Sequence, residues 1–313
     1  MQVILMFPGQ GSQKPGMGRD LFDAYPAARA AFEEVDSAVG APISTLCFQG
    51  PEANLTSTQN AQPALLAHGA AAWAVLRDQL AERVVAAAGH SLGEFTAQHA
   101  AGTLALADAA RLVRRRGELM YESGVNRPGA MAAILGLGED KVEQACMQAS
   151  AEAGAVVPAN YNTPEQLVIS GEVSGVERAM ALCKEAGAKR ALRLNVSGAF
   201  HSPLMEVAAT GLREALSKPS MGTAAFPVYS NVTAEPARDA DDVRSLLLRQ
   251  LTNPVRWTQQ VQRMATDHPD ALWVEVGPGN VLGNLVKRIV PGVQTATAGT
   301  AAEIDQLSSR VAA

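Results

Sequence analysis

The chain is poor in cysteine. Its 313 residues hold three, Cys47, Cys146 and Cys183, an odd number at wide spacing. That pattern argues against a disulfide framework and offers no paired spacing for a zinc site. Aromatic residues make up 4% and charged residues 18%. The net charge of −5 speaks against a general nucleic-acid binder, because attraction to phosphates needs a basic balance. Long apolar runs are missing too: none reaches the roughly 18 residues that a membrane span requires. The opening "MQVILMFPGQ" lacks a basic leader and is too short in its apolar part for a signal peptide, so it reads as a buried first strand. These absences point to a cytoplasmic protein without nucleic-acid or membrane partners. What the chain has is hydrophobic residues, 47% with alanine in excess. That is enough for one large domain, or for a large domain carrying a small one.

Short apolar runs alternate with helical patterns. Residues 2–7, 84–89, 272–276 and 227–230 read as buried strands, and stretches such as 20–38 and 64–80 as helices. The alternation predicts an α/β fold, a parallel sheet with helices on its faces. The middle differs. "ESGVNRPGA", 122–130, reads as a Gly/Pro/Asn hinge. After it the pattern is strand 130–136, helix 139–152, strand 155–159, strand 166–170, helix 173–186 and strand 189–195. This β-α-β-β-α-β order is the ferredoxin-like arrangement. The expected division is a discontinuous large domain, 1–124 and 197–313, with a small subdomain at 125–196. A cleft between the two is a favoured place for a ligand.

Gly89-His90-Ser91-Leu92-Gly93 fits G-x-S-x-G, between a strand and a helix. That context turns a weak five-residue pattern into a nucleophile elbow. A serine N-cap in a glycine turn is the plainer alternative. At the amino end of the next helix, free N–H groups favour developing negative charge, and Leu92 N–H is the natural first oxyanion donor. A second donor is expected. "FPGQGSQ", 7–13, leaves the first strand as a loop that is neither a P-loop nor a dinucleotide fingerprint. Because carboxyl ends of parallel strands share one edge, Gln10 N–H is placed to face Ser91. An ordinary glycine turn explains this loop equally well.

Of five histidines, His68 and His99 fall in alanine-rich helical patterns, His268 in a polar loop, and His90 should point away from the serine's pocket. His201, where the chain re-enters the large domain, is left as the base. An α/β-type triad orders serine, acid, histidine. The aspartates between Ser91 and His201 are Asp108 and Asp140, both near helix starts, where acids are favoured for other reasons. A Ser–His dyad is therefore expected, with its imidazole oriented by something other than a carboxylate.

In "DAARLVRRRGELMY", Ala109, Leu112, Val113, Arg116 and Met120 share one helical arc. Arg111, Arg114, Arg115 and Glu118 lie opposite. Arg116 thus points inward, and a buried guanidinium needs a partner. Its fork suits a carboxylate. Periodicity alone puts an internal carboxylate ahead of one that arrives with a substrate.

Together these segments resemble the malonyl-CoA:acyl carrier protein transacylases. The resemblance covers essentially the whole chain through "FPGQGSQ", "GHSLGE", "RRRGELM", "NYNTPEQLVISG", "AFHSPLM", "RQLTNPVRW" and "VEVGPGNVL". It implies an α/β-hydrolase-like large domain with a ferredoxin-like insert. It implies Ser91 as nucleophile, His201 as base, Gln10 and Leu92 as oxyanion donors and Arg116 as receiver of the malonyl carboxylate. Gln250 would hold the histidine through its backbone carbonyl, and Asn160 and Asn162 would lie in the inter-domain wall. Phe200, beside the base, would crowd a methyl branch on the acyl group. Substrates would be malonyl-CoA and acyl carrier protein, with no bound cofactor and no metal. Lys189-Arg190 and Lys287-Arg288 are candidate docking pairs for the acidic carrier, or ordinary solvated pairs. Service to a polyketide assembly line and a serine esterase or thioesterase activity are the competing readings.

Overall fold

The computed structural model describes residues 1–237 and 239–312. Ten strands occur among them: β1 (Val3–Phe7), β2 (Val84–Gly89), β3 (Ala130–Leu135), β4 (Val156–Thr163), β5 (Gln166–Gly171), β6 (Arg190–Arg193), β7 (Val228–Tyr229), β8 (Pro236–Ala237), β9 (Leu272–Glu275) and β10 (Thr295–Thr297). They form two sheets. The larger has the order β10-β9-β1-β2-β7-β8 and is parallel except for its last pair. The smaller has the order β4-β5-β3-β6 and is antiparallel throughout, the ferredoxin-like arrangement.

β1 sits at the centre, and all five of its residues are buried. Successive strand side chains face opposite ways. Val3, Leu5 and Phe7 join the main core, while Ile4 and Met6 join a second core around Trp257 and Trp273. A strand covered on both faces has to be apolar at every position, which "VILMF" is. The alanines of β2 let the buried helix Gly93–Ala100 approach closely. On the small sheet, Ala130, Ala132 and Ile134 face the helices Glu139–Glu152 and Val173–Glu185. Met131, Ala159 and Val168 pack into the main core instead. The two sheets are therefore joined by apolar contact.

Several boundaries differ from the sequence reading. The helix expected over 20–38 is two, Arg19–Ala24 and Pro26–Val39, with Tyr25 extended between them. A residue before proline is driven from the helical region, and proline is well suited to open the next helix. The hinge is shorter than 122–130, because the helix Leu106–Asn126 continues through its first five residues. β4 runs on to Thr163, since Tyr161 N–H bonds Val255 O (2.9 Å) in the segment that follows Gln250. Asn160 and Asn162 therefore lie on a strand, Asn162 at a register shift between Tyr161 and Thr163. β8 and β10 carry too little apolar pattern to be read from sequence.

Candidate active site

The carboxyl ends of β1, β2 and β7 lie side by side and deliver, in turn, Gln10, Ser91 and Asn231. Two glycines make the junction possible. A Cβ on Gly93 would stand 2.0 Å from Phe7 O, and one on Gly9 would stand 2.4 Å from His90 O. The loop after β1 is thus pressed directly against the elbow.

Among the described residues three non-glycine positions have positive φ, and two of them are Ser91 (52°) and His201 (57°). This left-handed region costs a side-chain-bearing residue energy and persists where the surroundings enforce it. The two strained residues meet: Ser91 Oγ is 2.7 Å from His201 Nε2. His201 Nδ1 is 2.9 Å from the backbone carbonyl of Gln250. A carbonyl only accepts, so Nδ1 carries the proton and Nε2 is left to take one from Ser91. No acid is needed to set this tautomer. Burial, and next the Arg116 charge, push the His201 imidazole down to about 3, so it stays neutral in ordinary buffers.

Arg116 is buried and lies across the serine, with Nη2 3.1 Å from Ser91 Oγ. Its other partners are amide oxygens, Gln62 Oε1 (2.7 Å) and Gln250 Oε1 (2.9 Å). The Phe95 ring lies 5.6 Å from its Cζ. Nε is buried without a partner. The internal carboxylate favoured by periodicity is therefore not what binds it directly: neutral dipoles hold the guanidinium and leave donor capacity beside the serine. Burial lowers it to about 10, with the Glu94 charge opposing, and it remains a cation at neutral pH. Arg111, Arg114 and Arg115 lie outward as expected, paired with Asp108, Glu118 and Glu122.

Gln250 does more than hold the histidine. Its amide nitrogen donates to Ser91 O (2.8 Å) and to Glu94 Oε2 (2.7 Å). Asn231, which sequence reasoning missed, frames the elbow. Its Oδ1 accepts from Ser91 N–H (2.8 Å), and its Nδ2 donates to Gly89 O (2.7 Å) and Gln260 Oε1 (3.3 Å). Glu94 and Gln62 were missed as well. The one signal for them is polarity inside buried patterns, at the carboxyl end of a strand for Asn231 and inside helices for the other two. In the turn, Gly93, Glu94 and Phe95 N–H bond carbonyls of residues 90–92. Leu92 and Gln10 N–H have no hydrogen-bond partner among the described residues. Leu92 follows Ser91 in the turn, and Gln10 follows the Gly9 that presses on the elbow.

Asn162 Oδ1 is 2.8 Å from His90 Nε2, so this residue of the small sheet reaches the elbow. His90 therefore belongs to the junction between the sheets, tilted on Trp257 at 5.8 Å. Asn160 pairs with Val168 and bridges to Val255. Phe200 is buried in the main core, next in chain to His201. Lys189, Arg190, Lys287 and Arg288 are exposed. Arg190 pairs with Leu135, which pairs with Gln166, whose Oε1 accepts from Arg288 (3.3 Å). Both basic pairs thus share one end of the small sheet. The three cysteines are buried free thiols. Among the described residues no helix is long and apolar enough to cross a membrane, and no group of His, Cys, Asp or Glu is arranged to ligate a metal. A cavity of about 1250 Å³ lies elsewhere, lined by Glu34, Trp73, Arg77, His99 and Thr103.

Residues 4–304 match the acyl transferase domain family. The malonyl CoA-acyl carrier protein transacylase of Escherichia coli K12 is 45% identical over 289 residues, 92% of this chain and 93% of the relative. The enzyme of the same name from Bacillus subtilis is 42% identical over 92% of this chain and 90% of its own. The acyl-carrier-protein-S-malonyltransferase crystal structure from Bartonella henselae superposes with a TM-score of 0.95 at 40% identity, covering 100% of both chains. A malonyl-transacylase solved in complex with a type II PKS acyl-carrier protein superposes at 0.94 and 40% identity, over 99% of this chain and 100% of that one. A strained serine–histidine pair beside a buried arginine, on a fold shared from end to end with these enzymes, makes the chain a member of the acyl transferase domain family and, within it, of the malonyl-CoA:acyl carrier protein transacylases.

Proposed function

We propose that this enzyme moves a malonyl group from malonyl-CoA to the phosphopantetheine thiol of acyl carrier protein, in fatty acid synthesis, through a malonyl ester on Ser91. The observation that carries the reading is Arg116 Nη2 at 3.1 Å from Ser91 Oγ, held by amide oxygens alone. A carboxylate one methylene from the reacting carbonyl fits that spacing, and a guanidinium fork binds it in two-point fashion.

In this reading His201 Nε2 takes the Ser91 proton as Oγ attacks the thioester carbonyl. The oxyanion forms against Gln10 and Leu92 N–H, each such donor worth about 3 to 4 kcal/mol of barrier. Collapse breaks the C–S bond, and His201 returns the proton to the departing thiolate. The carrier's thiol then repeats the sequence in reverse, giving its proton to His201 and leaving Ser91 free. Phe200 limits branched acyl groups, Asn160 and Asn162 wall the cleft, and Lys189, Arg190, Lys287 and Arg288 receive the acidic carrier. We assign 1–124 and 197–313 to the catalytic domain, 125–196 to the subdomain, and the enzyme to the cytoplasm, which supplies coenzyme A thioesters. Malonyl-CoA is a substrate, and no bound cofactor takes part.

Mass spectrometry of the intact chain after mixing with malonyl-CoA tests this. A malonyl adduct on Ser91 that persists in buffer and clears on addition of carrier protein is expected. Rapid clearing in buffer alone would make the enzyme a hydrolase instead. The neighbour captured with a polyketide carrier supports a second reading, a polyketide acceptor. Relative kcat/KM for the two carrier types separates them.

A further inference from the structure

Glu94 stands one amide behind the arginine. It is 1% exposed. Its Oε2 accepts from Gln250 Nε2 (2.7 Å) and from Asn231 N–H (3.2 Å). The same Gln250 side chain accepts from Arg116 Nη2 (2.9 Å). Carboxyl, amide and guanidinium are thus in series. Groups reach this cluster from every side. Arg116 comes from helix Leu106–Asn126, and Gln62 from helix Thr58–Leu80. Ser230 and Asn231 come from the end of β7, and Gln260 from helix Trp257–Asp267. His90 stands at the end of β2, and His201 on the re-entry turn. Burial favours the neutral form of both imidazoles, which leaves Arg116 as the cation facing Glu94.

We propose that Glu94 is the resident counter-charge of Arg116, and that it takes up one proton when a carboxylate-bearing acyl group reaches the guanidinium. The inference rests on Arg116 as the carboxylate receiver. With Glu94 ionised the empty cluster is neutral. An arriving carboxylate would leave one uncompensated negative charge in a dry pocket, which is costly. A proton on Glu94 restores neutrality, with the neighbouring Ser230 hydroxyl available to accept its hydrogen bond. One proton comes from solvent, and no other bond changes. Burial, opposed by these hydrogen bonds and by Arg116, already pushes the Glu94 carboxyl up to about 7, so the uptake falls in the neutral range. Acyl groups without a carboxylate demand no proton. Glu94 is a positioning residue: it touches no reacting atom and sets the charge that the substrate meets.

The test is calorimetric binding of malonyl-CoA and acetyl-CoA to the full chain carrying Ser91→Ala, between pH 6.5 and 8.5, in buffers of different ionisation enthalpy. Both ligands carry the same titrating phosphates, so these cancel in the comparison. The expected result is extra proton uptake with malonyl-CoA alone. Its Kd should rise about tenfold across the range relative to acetyl-CoA, the effect of roughly one pKa unit of coupling. Adding Glu94→Gln should remove both effects and tighten malonyl-CoA at the alkaline end. Equal proton uptake for the two ligands overturns the proposal, whether or not the Glu94→Gln chain folds. If malonyl-CoA is preferred without extra uptake, the Glu94 inference alone fails. If malonyl-CoA is not preferred at any pH, the reading of Arg116 fails with it.

Discussion

Positive charge is held in two regions of this molecule under opposite physics. Behind Ser91 a single guanidinium is fully buried, bound by the amide oxygens of Gln62 and Gln250. At one end of the small sheet four cations, Lys189, Arg190, Lys287 and Arg288, stand in solvent. A buried charge interacts strongly because little water screens it, and it survives only where dipoles replace its hydration. An exposed cluster is screened within about 8 to 10 Å at ordinary salt, so it steers encounters more than it holds a complex. The first region suits discrimination between acyl groups, and the second suits the arrival of a large acidic partner.

The sharpest way to break this contrast is Arg116→Ala. Malonyl transfer should lose about two to three orders of magnitude in kcat/KM, the scale of stripping a buried charge of its partner. Acetyl transfer should lose far less. Because Arg116 is the second cause, after burial, of the depressed His201 value, its loss also lets that value rise. The acid limb of kcat/KM, measured with acetyl-CoA, should then move to higher pH. Equal losses for both acyl groups would mark Arg116 as structural.

Asn231→Ala comes next. It strands the Ser91 N–H and the Gly89 carbonyl in a buried site, at about 1 to 3 kcal/mol each. The elbow, strained at Ser91, should relax. We expect kcat to fall about tenfold to a hundredfold with KM little changed, read as the rate of acyl-enzyme formation. A change confined to thermal stability would reduce Asn231 to packing.

The smallest effect is expected at the exposed region. Reversing the charge of both basic pairs should raise KM for acyl carrier protein about threefold to tenfold at low salt. The difference should fade as ionic strength rises. A KM that ignores both charge reversal and salt would show solvated side chains and no docking site.

The sequence laid out much of this site in advance, and the reason is local. Gly-His-Ser-Leu-Gly between strand and helix describes its own turn. The helical period turns Arg116 inward and its three neighbours outward without reference to the rest of the chain. The parallel sheet follows from buried runs such as "VILMF". The breaks at Tyr25 and Asn126 were harder to read, because a helix end depends on a few atoms of capping geometry.

What binds Arg116 was beyond such reasoning. Gln62 and Gln250 lie 54 and 134 residues away from it in the chain, and periodicity says only that a partner is needed. The same holds for Asn231, 140 residues from the serine whose N–H it accepts. The amino-acid sequence by itself determined the turn that carries Ser91 and the helix face that turns Arg116 inward. Tertiary structure alone decided that amides and not an acid surround that cation, because hydrogen-bond partners are chosen by distance in space.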